Sequence, residues 1–143
     1  MKWVTRSHVH VDRVACPWLI TRFVDNEAEF RFVPKNMIET IVKEEGAIPF
    51  DTPGVELGHK DGRCSFESIM LKYDLKEPGL VRLAQIVHAA DVSEDIDKDP
   101  IAPGLEAIAS GFSLIFPEDE DNLAHQFGIY DALYAWCRLQ TTK

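Results

Sequence analysis

The segment HVHVDRVACPWLITRFVD, residues 8–25, decides the fold because the chain changes there from a strand pattern to a helix pattern. In WVTRSHVHV (3–11) polar and apolar residues alternate, which predicts a strand. One face of that strand would carry Arg6, His8, His10 and Asp12. Pro17 suits the first turn of a helix because its missing N–H needs no partner there, so we expect Cys16 to be the cap. The helix is predicted to run to about Asp25.

Outward from this segment the chain has one further strand pattern and then mostly helix patterns. EFRFVP (29–34) predicts a second strand, and the Pro- and Gly-rich 47–62 predicts a loop with a short strand at each end. Further helices are predicted at 36–46, 65–75 with Ser65 as cap, 77–91, 105–116 and 118–140. The predicted fold is α+β: a small N-terminal β-sheet packed against a larger helical part of about five to six helices. We expect one domain over residues 1–143.

The composition is that of an ordinary globular protein. Hydrophobic residues make up 45% of the 143 residues, and no apolar run approaches the length of about 20 residues that crosses a membrane. The N-terminus has no apolar signal core, so a cytoplasmic location is expected. The three cysteines are scattered at 16, 64 and 137, which favours reduced thiols over a disulfide framework.

The charge is unevenly distributed along the chain. The net charge is −9, and it argues against direct nucleic-acid binding, which depends on neutralising phosphates. Residues 1–24 nevertheless carry four basic side chains and one acid, whereas 91–121 carry ten acids and one lysine. The basic start of the chain predicts attraction of a small anion.

The opening segment is compatible with three kinds of site: a metal site, a reactive thiol and an anion-binding site. His8 and His10 lie two apart, so on a strand both rings would face one side and could supply two zinc ligands, with Asp12 nearby. Cys16 at a helix N-terminus near Arg13 would have a stabilised thiolate. The structural alternatives are a solvated strand face and a small buried thiol.

The anion-binding hypothesis rests on the arginines. Arg6 and Arg13 flank the strand–helix junction, Arg22 lies further along the helix, and free backbone N–H groups are expected at the junction. Guanidinium groups form paired hydrogen bonds with oxyanions. The predicted anion-binding set is therefore Arg6, Arg13 and Arg22 with Asp12, the alternative being that these groups only pair with one another.

A second constellation lies in the middle of the chain. His88 and Asp91 are three apart on a predicted helix and share a face, while His59 precedes another helix and Glu67 lies in its first turn. Such a set suits a Zn²⁺ or Mn²⁺ cofactor with an open coordination position. In the structural alternative, Asp91 caps its helix and His88 is half-buried. Cys64 could be a further ligand, but its place beside the predicted cap favours a packed thiol.

Several of these residues lie in strings that resemble the chromate-resistance protein (ChrB) family. The strings are WVTR (3–6), VDRVA and WLI.RFVD within 11–25, AEFRFVP (28–34), H....C.FE (59–67) and IVHAAD (86–91). The resemblance covers essentially the whole chain and implies a regulator of a chromate efflux transporter that responds to chromate. The family's longer members add an N-terminal DNA-binding-type region, so this chain is expected to be the stand-alone C-terminal domain. The residues carried over are Arg6, Asp12, Arg13, Trp18, Arg22, His59, Glu67, His88 and Asp91.

Three functions follow as hypotheses. The first is a domain that binds and senses an oxyanion such as chromate, or a metal ion. The second is a metal-dependent enzyme acting on a small anionic substrate, with the divalent ion activating water. The third is an interaction domain whose acidic loop, 91–99, binds a basic partner. The sequence leaves the oligomeric state open, a homo-oligomer included.

Overall fold

The computed structural model describes residues 1–142, and all bounds below refer to that range. The strands are β1 (Lys2–Arg6), β2 (Glu29–Val33) and β3 (Ile48–Pro49). The α-helices are α1 (Val11–Phe23), α2 (Ile38–Glu45), α3 (Ser65–Lys72), α4 (Pro78–Asp91), α5 (Ala102–Ile115) and α6 (Asp119–Thr141). Two short 3-10 segments, Lys35–Met37 and Ser93–Lys98, precede α2 and follow α4.

The small sheet is parallel, in the order β2-β1-β3. Parallel strands need crossover connections, and α1 and α2 provide them. The central strand β1 is the most buried, because Trp3, Val4 and Thr5 are inaccessible to solvent. The carboxyl ends of β1 and β3 therefore lie side by side, next to the start of α1.

The helical part packs around α4, which contacts α1, α3, α5 and α6. Its apolar face, including Leu83, Ile86 and Val87, is fully buried. The predicted α+β class, with a small N-terminal sheet and a larger helical part, is confirmed. Within residues 1–142 no helix has the length and hydrophobicity needed to span a membrane.

The strand–helix junction differs from the prediction. The strand ends at Arg6 instead of Val11, and α1 begins at Val11 with His10 as its N-cap, so Pro17 lies inside the helix. The cause is a partner distant in sequence: the backbone N–H groups of His8 and Val9 donate to the carboxylate of Asp119, at 3.0 and 2.9 Å. These bonds fix a turn in which His8 has a positive φ of 66°.

The change of junction also changes which side chains share a face. Asp12 points into the protein from the first turn of α1, with 1% of its surface exposed. It therefore does not lie on a strand face with Arg6 and the two histidines. The predicted cap of α3, Ser65, is wrong, because the N-cap is Cys64 and Ser65 is the first residue of the helix.

Candidate functional site

The carboxylate of Asp12 is held by the start of α3. Its Oδ2 accepts the backbone N–H of Ser65 at 2.7 Å, and its Oδ1 accepts that of Phe66 at 3.2 Å. The thiol of Cys16, one turn along α1, lies 3.3 Å from the same Oδ1. Free N–H groups in the first turn of a helix are good partners for a carboxylate. The buried charge is thus supported by hydrogen bonds from a neighbouring helix.

Carboxylates from three parts of the chain converge on one imidazole nitrogen. Nε2 of His59 lies 2.9 Å from Asp91 Oδ2, 3.4 Å from Asp12 Oδ2 and 3.7 Å from Asp51 Oδ1. Asp12 lies in α1 and Asp91 at the end of α4. Asp51 lies two residues after the end of β3. His59 itself is half exposed, since 48% of its side chain is accessible. It covers the group of acids from the solvent side.

Asp51 links this group of acids to the arginines. Its Oδ1 accepts the hydroxyl of Ser65 at 2.6 Å, and its Oδ2 lies 3.2 Å from Nε of Arg13. Nη2 of Arg6 is 3.7 Å from the same Oδ2, and Nε of Arg6 donates to the backbone carbonyl of Asp51. Arg13 also donates to the backbone carbonyl of Ser7 at 2.7 Å. The two guanidinium groups therefore sit at one edge of the acids.

The protonation of these groups departs from their ordinary behaviour. Burial, reinforced by the charge of Asp12, raises the pKa of Asp51 to about 7. Burial and the same neighbour also raise the pKa of Asp91. The hydrogen bond to Asp12, with the charges of Asp91 and Asp51, raises the pKa of His59 to about 9. Burial lowers the pKa of Arg13, although Asp51 opposes this. Perturbed groups gathered in a cleft are typical of functional sites.

Except for Asp12, which is buried, these residues line a cleft of about 450 Å³ at the carboxyl ends of β1 and β3. Ligands of open α/β sheets bind at this edge as a rule. The lining combines basic, acidic and imidazole groups with the 52–54 turn: Arg6, His10, Arg13, Asp51, Thr52, Pro53, Gly54, His59 and Asp91.

The donor set fits a divalent cation. One atom each from Asp12, His59 and Asp91 lie within 4.8 Å of one another. Carboxylate oxygens with one imidazole suit Mn²⁺ and Zn²⁺, and three protein ligands leave coordination positions open. A cation there would replace the proton on Nε2 of His59 and offset the repulsion among the acids.

The other predicted metal ligands form a second cluster. Nδ1 of His88 lies 2.7 Å from Oε1 of Glu67, and its Nε2 lies 2.8 Å from Oδ2 of Asp95. Burial opposes protonation of His88, but the bonds to Glu67 and Asp95 outweigh it and raise the pKa. The structure thus divides the predicted set: His59 and Asp91 join Asp12, whereas Glu67 and His88 lie apart from them.

The predicted anion-binding set is also divided. Arg6 and Arg13 line the cleft, with Asp12 behind it. Arg22 does not join them, because its guanidinium forms a two-point pair with the Asp131 carboxylate on α6, at 3.0 Å for each bond. Cys16 is buried, and burial raises the pKa of its thiol, which opposes the reactive-thiolate hypothesis.

The two early histidines lie in different surroundings. His8 is exposed, whereas His10 lines the cleft with Nε2 3.4 Å from Oε1 of Glu106. Asp51 is the functional candidate that the sequence analysis missed. A signal was present, because Asp51 precedes a Pro-Gly turn directly after a short strand, where side chains of a parallel sheet gather.

Comparisons with known proteins identify the family of the chain. Residues 3–137 match the family model described as ChrB, C-terminal domain. The chain is 36% identical over 137 residues to Protein ChrB of Cupriavidus metallidurans, strain CH34, an alignment that covers 93% of this chain and 40% of that protein. The chain therefore spans less than half the length of this curated relative. A comparison with solved structures gives no significant match. The chain belongs to the ChrB C-terminal domain family.

Proposed function

We propose that this domain serves chromate resistance as a ligand-binding, sensing domain. A divalent cation, Mn²⁺ or Zn²⁺, binds Asp12, His59 and Asp91, and a small oxyanion such as chromate binds beside it against Arg6 and Arg13. The observation that carries the proposal is the convergence of three carboxylates on Nε2 of His59 in a cleft that two arginines also line. Membership of the ChrB C-terminal domain family supports the link with chromate resistance.

Charge decides the order of binding. A dianion that entered the cleft alone would find the positive charges of Arg6, Arg13 and protonated His59 already offset by the neighbouring acids, so its net attraction would be weak. A divalent cation adds positive charge to the cleft and offers a coordination position to an anion oxygen. The arginines then supply directed hydrogen bonds to the remaining oxygens. Oxyanion binding is therefore expected to require the cation.

A metal-dependent enzyme is the second candidate. The observation in its favour is the open side of the donor set, since three protein ligands leave room for a water or a substrate atom. His10, in the same cleft, provides a further group for proton transfer. Turnover of an anionic substrate by the metal-loaded protein would separate this function from sensing.

The acidic-loop hypothesis has less support. Asp91 pairs with His59, Asp95 with His88 and Lys98, and Asp99 with Arg82 at 2.6 Å. These acids already have internal partners. The loop thus offers a basic partner far less free charge than its composition suggests.

Calorimetric titration tests the proposal. Mn²⁺ or Zn²⁺ is added to chelator-treated protein, and chromate or sulfate is then added with and without the metal. Binding of one cation, followed by metal-dependent chromate binding, is the expected result. Asp91→Asn should weaken cation binding, and Arg13→Gln should weaken only chromate binding.

Arg22→Gln is the matched control, because it removes a guanidinium of the same segment that lies outside the cleft. The proposal would be contradicted by a chromate affinity that is the same with and without the metal. It would also be contradicted by an affinity that falls equally in Arg13→Gln and Arg22→Gln. Absence of any cation binding would remove both the sensing and the enzymatic form of it.

A further inference from the structure

The start of α3 carries a second group of possible metal ligands, outside the cleft described above. Sγ of Cys64, a carboxylate oxygen of Glu67 and a ring nitrogen of His88 all lie within 4.8 Å of one another. Cys64 is the N-cap of α3, Glu67 lies in its first turn, and His88 comes from α4. The three donors therefore join two helices.

Local hydrogen bonds hold these donors in place. The backbone N–H of Cys64 donates to Oε1 of Glu67 at 2.9 Å, as in a capping box. The same Oε1 lies 2.7 Å from Nδ1 of His88. Nδ1 of His88 thus points toward Glu67 and the cap, which makes Nδ1 the nitrogen available to a shared metal ion.

The other ring nitrogen of His88 already has the partner that metal-binding histidines usually have. Nε2 lies 2.8 Å from Oδ2 of Asp95, and Asp95 is held in turn by Nζ of Lys98 at 2.6 Å. A carboxylate on the far nitrogen fixes the orientation and tautomer of a ligating imidazole. The Asp95 carboxylate therefore supports metal binding at Nδ1 of His88.

A cavity gives access to the donors. Glu67, His88, Asp95 and Lys98 line an opening of about 330 Å³ between α3, α4 and the following 3-10 segment. Cys64 is fully buried behind them. A metal ion entering from this opening would meet Glu67 and His88 first and the sulfur last.

We propose that Cys64, Glu67 and His88 form a zinc site distinct from the cation site of the cleft. A thiolate with an imidazole and a carboxylate suits Zn²⁺, whereas the oxygen-rich set of Asp12, His59 and Asp91 suits harder ions as well. Burial raises the pKa of the Cys64 thiol, so the thiol stays protonated until a metal ion takes the place of its proton. Binding displaces that proton and any proton on Nδ1 of His88 to solvent, and no oxidation or reduction is involved. The bound ion ties the start of α3 to α4.

This metal-mediated link between α3 and α4 also affects the cleft, because the two residues after Cys64 bind the carboxylate of Asp12. The N–H groups of Ser65 and Phe66 donate to that carboxylate directly after the Cys64 cap. Zinc at the cap thus stabilises the backbone on which the cleft depends. This role is structural and does not need the proposed function to be correct.

Cobalt substitution tests the zinc site without any activity assay. Co²⁺ is added to the full chain under reducing conditions, and absorption by thiolate-to-cobalt charge transfer is measured in the near ultraviolet. The band is expected in the unaltered chain and should disappear when Zn²⁺ is added, since zinc binds such sites more tightly.

Cys64→Ser is the decisive variant, because serine is a preferred N-cap and keeps α3 intact while removing the sulfur. The band should be lost in Cys64→Ser but retained in Cys137→Ser and in Asp91→Asn. A band that persists in Cys64→Ser, or no band in the unaltered chain, would overturn the proposal.

Asp95→Ala gives a test that does not touch the ligands. Loss of the carboxylate on Nε2 of His88 should weaken Co²⁺ binding about 10- to 100-fold with the band still present. An unchanged affinity in Asp95→Ala would contradict the orientation of His88 on which the proposal rests.

Discussion

Asp51→Asn tests whether the acids of the cleft repel one another in the folded protein. Asp51 is buried, with 4% of its surface exposed, and carries a positive φ of 47°. Asparagine tolerates that left-handed backbone as well as aspartate does. The substitution therefore removes a charge without straining the turn, and it mimics the protonated form of Asp51.

The magnitude follows from the pKa of Asp51. Its pKa rises from 3.8 to about 7, with burial as the first cause and the charge of Asp12 as the second. Between these two pH values the folded protein binds a proton that the unfolded chain releases, so stability falls as the pH rises. Each pH unit corresponds to about 1.4 kcal/mol, which sets a ceiling of about 4 kcal/mol. The Asp51→Asn variant cannot ionise at this position, so it does not lose this stability as the pH rises.

Urea unfolding of metal-free protein from about pH 4 to about pH 8 measures the effect. The free energy of unfolding of Asp51→Asn, relative to the unaltered chain, should increase with pH and level off above about pH 7. Asp61→Asn is the matched control, because Asp61 has a similar φ of 52° but an exposed side chain. A difference that stays flat or decreases with pH would refute the reasoning about buried repulsion.

Three further predictions concern the surroundings of the cleft. The pKa of His59, about 9, should fall on addition of Mn²⁺ or Zn²⁺ as the cation replaces the proton on Nε2, and an NMR titration of the ring with Zn²⁺ would detect this. In the metal-free protein, protonated His59 stabilises the fold through its contacts with the neighbouring carboxylates. This stabilisation is fully present below pH 6.5, the pKa of His59 in the unfolded chain, and is lost as the pH rises through about 9. Gly58→Ala should weaken cation binding, measured by calorimetry, because a Cβ there would lie 2.8 Å from the carbonyl oxygen of Thr52 and displace the loop that carries His59. Asp119→Ala should lower the free energy of unfolding in urea by about 1 kcal/mol, and the exposed Asp121→Ala should not, since only Asp119 accepts the N–H groups before α1.

The fold class was predictable because hydrophobic periodicity, and the glycine and proline residues that end helices and strands, are local signals. The helix near residue 36 ends at Gly46, whose φ of 67° is the left-handed conformation that glycine favours, as the sequence indicated. The start of α1 was not predictable in the same way. Alternation continued to Val11, and Pro17 offered a plausible helix start, but the carboxylate of Asp119 ends the strand from a position 110 residues away.

The sequence predicted which residue types form the candidate site, but it did not predict which of these residues lie together in the folded chain. Spacing placed His88 and Asp91 on one helix, and they lie less than one turn apart. Which acids and histidines meet, however, depends on how α1, α3 and α4 pack. That packing puts Asp12 with Asp91 and leaves His88 with Glu67. Asp51 was missed because a loop aspartate before proline and glycine is typical of an ordinary turn.

The start of α3 explains how the acids remain together despite their repulsion. Asp12 accepts N–H groups of Ser65 and Phe66, and Asp51 accepts the hydroxyl of Ser65. If either acid turned away, buried donors would lose their partners at a cost of about 1–3 kcal/mol each. A neutral amide has only one acceptor oxygen, whereas both oxygens of Asp12 and both oxygens of Asp51 face hydrogen-bond donors, so this network itself favours carboxylates at the two positions. The divalent cation that we propose would relieve the remaining repulsion and leave these hydrogen bonds in place, since each carboxylate oxygen can accept more than one bond.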